Sequence, residues 1–301
     1  MLQVQHLRKT FGNLVAVDDV TFEVAPGTIT GIIGQNGSGK TTIFRMILDF
    51  LTPEGKGQVL WQGKPLNDKV YDTVGYLPEE RGLYEKMTIE QQIQYFAQLR
   101  GMTKEEIAPK IDDWMVRFNV KGKKTDKIKS LSKGNQQKVQ VIATLIHEPK
   151  LVILDEPFSG LDPVNADFLK RGILALKEKG ACILFSSHNM SNVEEICDRL
   201  VMIHNGKQLL NGTVDQVRKS YGNTQLTLAA PGWTLDQLLA LPGVKTGQVK
   251  SDGNYFLVLE DESYGKAIYD QIVQGQYTTA FYQQPPTLEQ IFKEEVGAHN
   301  E

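Results

Sequence analysis

The run Gly34-Gln35-Asn36-Gly37-Ser38-Gly39-Lys40-Thr41 combines glycines, a lysine and two hydroxyls in one short stretch. A turn this rich in glycine lets backbone N–H groups converge on one anion without obstruction from Cβ atoms. It follows Ile29-Thr30-Gly31-Ile32-Ile33, which reads as a buried strand, and precedes Thr42-Ile43-Phe44-Arg45-Met46-Ile47-Leu48, whose apolar residues recur at helical spacing. That context puts the anion at a helix N-terminus, where the macrodipole favours negative charge. The pattern predicts a phosphate-binding loop for a nucleoside triphosphate. Gly34, Asn36, Gly37, Ser38, Gly39 and Thr42 would surround the phosphates, Lys40 would reach the terminal ones, and the Thr41 hydroxyl would ligate Mg²⁺.

Leu151-Val152-Ile153-Leu154-Asp155-Glu156-Pro157 reads as an apolar strand ending in two acids. Side chains alternate along a strand, so the two carboxylates are free to take different tasks. Asp155 suits the Mg²⁺ shell as the acidic partner of Thr41. Glu156, one residue nearer the phosphates, suits accepting a proton from an attacking water or orienting it. Two acids at a strand end are common in isolation; downstream of a phosphate loop they acquire chemical meaning. A second anion-receptive patch lies in Leu131-Ser132-Lys133-Gly134-Asn135-Gln136-Gln137-Lys138, where Ser132 is an N-cap candidate ahead of a helix expected over 139–146.

These groups need elements to position them. Further strands are expected at 4–7, 20–24, 58–62 and 74–77, and helices dominate from 88 to 147. Thr88-Ile89-Glu90-Gln91 and Thr103-Lys104-Glu105-Glu106 have the form of capping boxes. Strand–helix alternation resumes at 151–154, 181–186 and 200–204. Asn205-Gly206 signals a hairpin that pairs 201–204 with 207–210. The first unit, 1–221, therefore reads as an α/β nucleotide-binding core with a helical insertion at about 85–148. After Tyr221-Gly222-Asn223 the expected order is strand 224–230, helix 234–240, strand 244–250, strand 255–260, helix 264–273 and strand 278–282. That βαββαβ order predicts a small α+β, ferredoxin-like module over 222–301, with a last helix opening at Thr287-Leu288-Glu289.

With these motifs in this order, residues 1 to about 215 resemble the ATP-binding subunit of an ABC transporter. The family's signature begins Leu-Ser-Gly-Gly-Gln; Ser132 and Gly134 match, while Lys133 and Asn135 replace its first Gly and its Gln. Ser159-Gly160-Leu161-Asp162 resembles the D-loop, and Ser186-Ser187-His188 the switch histidine. The resemblance implies a P-loop NTPase cassette with a RecA-like core, an antiparallel β subdomain and a helical subdomain. It implies ATP bound with Mg²⁺ between two cassettes, identical or similar, facing head to tail. Ser132, Gly134 and Asp162 of one would then border the nucleotide held by Lys40 of the other. His188 would contact the γ-phosphate. Phe11 either stacks on adenine or packs in the core, and Lys133 either adds a cation near the phosphate or faces solvent.

Val74-Gly75-Tyr76-Leu77-Pro78-Glu79 matches a stretch that in the family ends in Gln, which touches Mg²⁺ and the attacking water. Glu79 is thus either a third metal ligand beside Thr41 and Asp155 or a surface partner of Arg81. Glu79, the altered signature and Pro286-Thr287-Leu288-Glu289-Gln290-Ile291-Phe292 together resemble the sodium-export-type ABC-2 branch. That resemblance implies separate transmembrane permease subunits and a place at the cytoplasmic face of the membrane.

The chain has 301 residues and a formal net charge of -3, which supplies no basic field for nucleic acid. Its longest apolar stretches fall far short of the roughly 20 residues that span a bilayer, and its start has no secretory-signal pattern. Cys182 and Cys197 offer neither a disulfide framework nor metal spacing. These features predict a soluble, intracellular protein, and the resemblance implies the ATP-hydrolysing subunit of a membrane exporter. The alternatives are a soluble ATPase of the same family acting on ribosomes or nucleic acid, and an ATP-dependent regulatory module.

Overall fold

The computed structural model describes residues 1–65, 71–80, 82–274 and 277–298. Arg81, the alternative partner for Glu79, lies outside them. The chain divides into two compact units, Met1–Gly212 and Thr213–Glu301.

The first unit runs β1 (Leu2–Phe11), β2 (Leu14–Val24), β3 (Thr28–Ile33), α1 (Lys40–Ile47), β4 (Gln58–Trp61), β5 (Lys64–Pro65), β6 (Val74–Leu77), α2 (Ile89–Leu99), α3 (Lys104–Arg117) and α4 (Lys133–Leu145). It continues with β7 (Leu151–Leu154), α5 (Pro163–Glu178), β8 (Cys182–Ser187), α6 (Met190–Ile196), β9 (Arg199–His204) and β10 (Lys207–Thr213). Its strands form one sheet in the order β5-β4-β1-β2-β10-β9-β3-β8-β7-β6. From β9 to β6 the pairing is parallel, and β7, β8 and β9 are almost wholly buried, as strands covered on both faces must be. At the other end β1, β2, β4 and β5 pair antiparallel.

Parallel register decides where the chemistry gathers. Leu77 lies opposite Leu154, Leu154 opposite Phe185, and Ile33 opposite Ser187. The chain therefore leaves β3, β6, β7 and β8 at one edge of the sheet, bringing Gly34, Glu79, Asp155 and His188 to the carboxyl ends, where open α/β sheets hold ligands.

Local rules account for much of the helical insertion. Thr88 with Gln91 and Thr103 with Glu106 form reciprocal capping boxes. Asn205 and Gly206 both have positive φ (47° and 79°), the conformation of a tight hairpin turn between adjacent β9 and β10. One helix departs from expectation. α4 starts at Lys133, not at 139, because Ser132 accepts a bond from Asn135 N (3.4 Å) and draws the polar signature residues into the first turn.

The second unit opens with α7 (Val214–Lys219), which ends just before the junction expected at 221/222. It continues with β11 (Gln225–Leu228), α8 (Leu235–Leu239), β12 (Val244–Val249), β13 (Tyr255–Leu259), α9 (Tyr264–Val273), β14 (Phe281–Gln284) and α10 (Leu288–Ala298). Its sheet is antiparallel in the order β12-β13-β11-β14. β13 thus sits between β11 and β12, the split-βαβ arrangement. Leu226, Leu228, Leu257, Leu259 and Ile268 make its core.

Candidate functional site

Steric constraint shapes the glycine loop. A Cβ on Gly34 would lie 2.3 Å from the Ile203 carbonyl oxygen, and one on Gly39 would lie 2.4 Å from that of Ala16, where φ is also +111°. Any other residue at either position would force the backbone apart. Lys40, 6% exposed, folds back over the loop: its Nζ donates to the Gly34 (2.9 Å) and Gln35 (3.1 Å) carbonyl oxygens and lies 3.5 Å from Glu156 Oε1. The Ser38 hydroxyl is buried without a hydrogen-bond partner among the described residues.

Asp155 and Glu156 follow β7 directly. The Thr41 hydroxyl donates to Asp155 Oδ2 (2.8 Å), and the Ser186 hydroxyl donates to Oδ1 (2.6 Å) while accepting from Glu156 N (2.8 Å). Glu156 adopts φ +47°. This left-handed turn, rather than strand alternation, separates the two carboxylates, since both residues lie beyond the last strand residue. Glu156 Oε2 meets His188 Nδ1 at 2.9 Å, while its buried Oε1 lies 3.5 Å from Lys40 Nζ and has no hydrogen bond among the described residues. A carboxylate so placed retains a free acceptor lone pair. Behind it, burial, reinforced by the Asp155 charge, pushes the Tyr76 phenol up to about 12, which keeps it neutral.

Above these groups opens a cleft of about 570 Å³, lined by Asn36, Gly37, Gly39, Lys40, Thr41, Thr42, Asp155 and Glu156, with Phe11 and Glu79 at its sides. Phe11 is 48% exposed, which excludes a core role. Gly34 and Ser38 are buried members of the loop and do not line the cleft. Thr41 and Asp155 offer hard oxygen ligands next to one another. Among the described residues no group of three or more His, Cys, Asp or Glu side chains forms a cage for a metal. That donor set fits Mg²⁺, which keeps waters and binds largely through substrate phosphates.

Ser132, Gly134 and Asp162 do not join this lining. They form a second surface: Asp162 caps α5, accepting from Asn165 N (2.9 Å) and Asn165 Nδ2 (2.5 Å), and that Nδ2 lies 3.3 Å from where a Cβ on Gly134 would stand. Asn135 holds Ser132 through Nδ2–H to Oγ (3.2 Å) and accepts from Lys121 N (3.0 Å). Lys133 is exposed on the first turn. Sequence reasoning assigned no separate role to Ser186 or Asn165. Ser186 is legible only from the β7–β8 register, which sets it beside the acids.

The family profile "ABC transporter" matches residues 17–159, and "ATP-binding protein DrrA1-3-like, C-terminal domain" matches 212–296. The ABC transporter ATP-binding protein YhaQ of Bacillus subtilis (strain 168) is 40% identical over 298 residues, 99% of each chain. The ABC transporter ATP-binding protein NatA of the same organism is 36% identical, covering 68% of this chain and 85% of its own. Among solved structures, an "ATP binding subunit of ABC transporter" superposes with a TM-score of 0.68 at 32% identity, over 79% of this chain and 97% of that one.

Proposed function

This chain belongs to the ATP-binding proteins of ABC transporters, and we propose that it powers export through separate membrane-spanning chains. It is an ATPase of that family. The observation that carries the mechanism is the Lys40–Glu156–His188 chain beside the glycine loop, in which the lysine and the carboxylate are buried and the histidine is exposed.

When ATP enters, Lys40 exchanges the Gly34 and Gln35 carbonyls for the terminal phosphates, a stronger charge-assisted contact. Water attacks the γ-phosphorus, the bond to the bridging oxygen breaks, and the water's proton passes to Glu156 Oε1, the oxygen beside Lys40. His188 holds the other oxygen and fixes the carboxylate's direction. Thr41 and Asp155, with Glu79 as the further ligand, would hold Mg²⁺. When bound, Mg²⁺ neutralises phosphate charge. Phe11 offers a face on which adenine stacks. Ser132, Gly134 and Asp162 complete the site of a second copy, which explains why they line no part of their own cleft.

Among the described residues no helix is long and apolar enough to cross a membrane, so transport needs other chains. A mostly apolar groove of about 260 Å³ beside Glu79, floored by Phe50, Tyr76, Leu83 and Phe96, suits a segment of such a chain. Export follows from the branch resemblance carried by Glu79, Lys133 and the 286–292 tail.

The test has two parts. A non-hydrolysable ATP analogue should double the scattering mass of the chain with or without its membrane companion, and mild detergent extracts of native membranes should yield a polytopic protein bound to it. Failure of the first removes the two-copy site. If instead the chain binds nucleic acid in a salt-sensitive way, the ribosome or nucleic-acid reading takes over.

Glu79 has its own prediction. Its carboxylate is exposed in the cleft wall. Glu79→Gln should raise the Mg²⁺ concentration for half-maximal ATPase activity by about tenfold, the worth of one charged contact. Superimposable Mg²⁺ titrations would remove Glu79 from the metal shell.

A further inference from the structure

A third cavity, remote from the nucleotide groups, lies between α3 and α5. It measures about 200 Å³ and is walled by Trp114, Phe118 and Phe168, with Arg117, Arg171 and Lys179 at its border. The aromatic wall is ordered: Trp114 and Phe118, one helical turn apart, stack with centroids 5.7 Å apart and rings 4° from parallel. Gly172 makes room for this arrangement. A Cβ there would stand 2.4 Å from Phe118 Cζ, so any larger residue on α5 would push the ring out of the wall.

The cations differ in how fully they are engaged. Arg117 pairs with Asp113 at 2.7 Å and Lys179 with Glu148 at 3.1 Å. Arg171 makes no ion pair among the described residues. Its guanidinium rests 5.9 Å from the Phe168 centroid, the ring that Lys138 approaches at 5.3 Å. An exposed guanidinium resting on an aromatic face keeps its N–H fork available for a planar, two-oxygen acceptor.

The geometry points to a binding site for a small planar anion, an aromatic carboxylate, whose ring lies against Trp114 and Phe168 while its carboxylate takes the Arg171 fork. Aromatic walls reward a flat π-system over an aliphatic chain through offset or edge-to-face packing. The surplus of cations over acids selects an anion over its neutral amide. Such a ligand would bridge a helix of the insertion, α3, and a helix of the core, α5.

Naphthoate is a suitable probe, titrated into the full chain and followed by tryptophan emission and by calorimetry. Saturable binding at about 0.1–1 mM is expected, which is what a molecule of this size can achieve. Neutral naphthamide should bind about tenfold more weakly, and Arg171→Gln should weaken naphthoate by about the same factor. Arg171 is on the surface, and an unchanged melting temperature will show that the variant remains folded. Equal affinity for acid and amide, no effect of Arg171→Gln, or no saturable binding would overturn the proposal. Arg171-dependent binding of decanoate as tight as that of naphthoate would overturn the aromatic preference and point to an aliphatic anion.

Discussion

Glu156→Gln should lower the rate of phosphate release by about a hundred- to ten-thousandfold while leaving ATP binding intact. The amide keeps an oxygen for His188 Nδ1, now 2.9 Å from the carboxylate, and it preserves side-chain length at a position with φ +47°. What disappears is the basic oxygen, buried beside Lys40, that would take the proton from water. Affinity for ATP should hold or rise, because a negative charge next to the phosphates has gone and Lys40 loses a competing partner at 3.5 Å. The variant should therefore collect in an ATP-bound, two-copy state. Light scattering with ATP reads the assembly, and a phosphate-release assay reads turnover. A variant that turns over at the wild-type rate would remove Glu156 from the chemistry.

Lys40→Ala should weaken ATP binding by about a hundredfold or more, since it deletes charge-assisted contacts that contribute about 1.5–3 kcal/mol each. The substitution also leaves Glu156, 7% exposed, without its nearby cation, so the free chain should melt at a lower temperature. These two effects separate in the double variant Lys40→Ala with Glu156→Gln. Neutralising the acid should recover melting temperature without recovering affinity, because no cation has returned to the phosphates. Titration with a fluorescent ATP analogue beside thermal melts measures both. An affinity within threefold of wild type would show that the lysine, despite its position over the loop, does not reach the nucleotide.

How much was legible in advance depends on the range of the physics involved. The glycine loop, the capping boxes at Thr88 and Thr103 and the Asn205-Gly206 turn are decided within a few residues, by Cβ sterics and by side chains bonding their own backbone. The βαββαβ order of the second unit was readable from alternation and turn residues, and α9 spans the residues expected. β14 lies a few residues beyond its expected place, at Phe281–Gln284. It is an edge strand paired only with β11, and its start is set by register across that pair rather than by its own sequence.

α4 was legible only in part. Its apolar half announced a helix, while the polar first turn carries no apolar periodicity and is held by the Ser132 cap and the Asn135 bonds.

The sequence by itself determined which groups the chain carries: a loop that must cradle an anion, a lysine, two adjacent acids and a serine–glycine patch. Only the tertiary structure decided their company. Parallel register placed Asp155, Glu156, Ser186 and His188 at one sheet edge, and a left-handed turn aimed Glu156 at Lys40. Packing of α4 and α5 put Gly134 beside Asn165 and away from the cleft. The reason is range: caps and turns are local, whereas strand pairing across more than a hundred residues is settled only when the whole sheet closes.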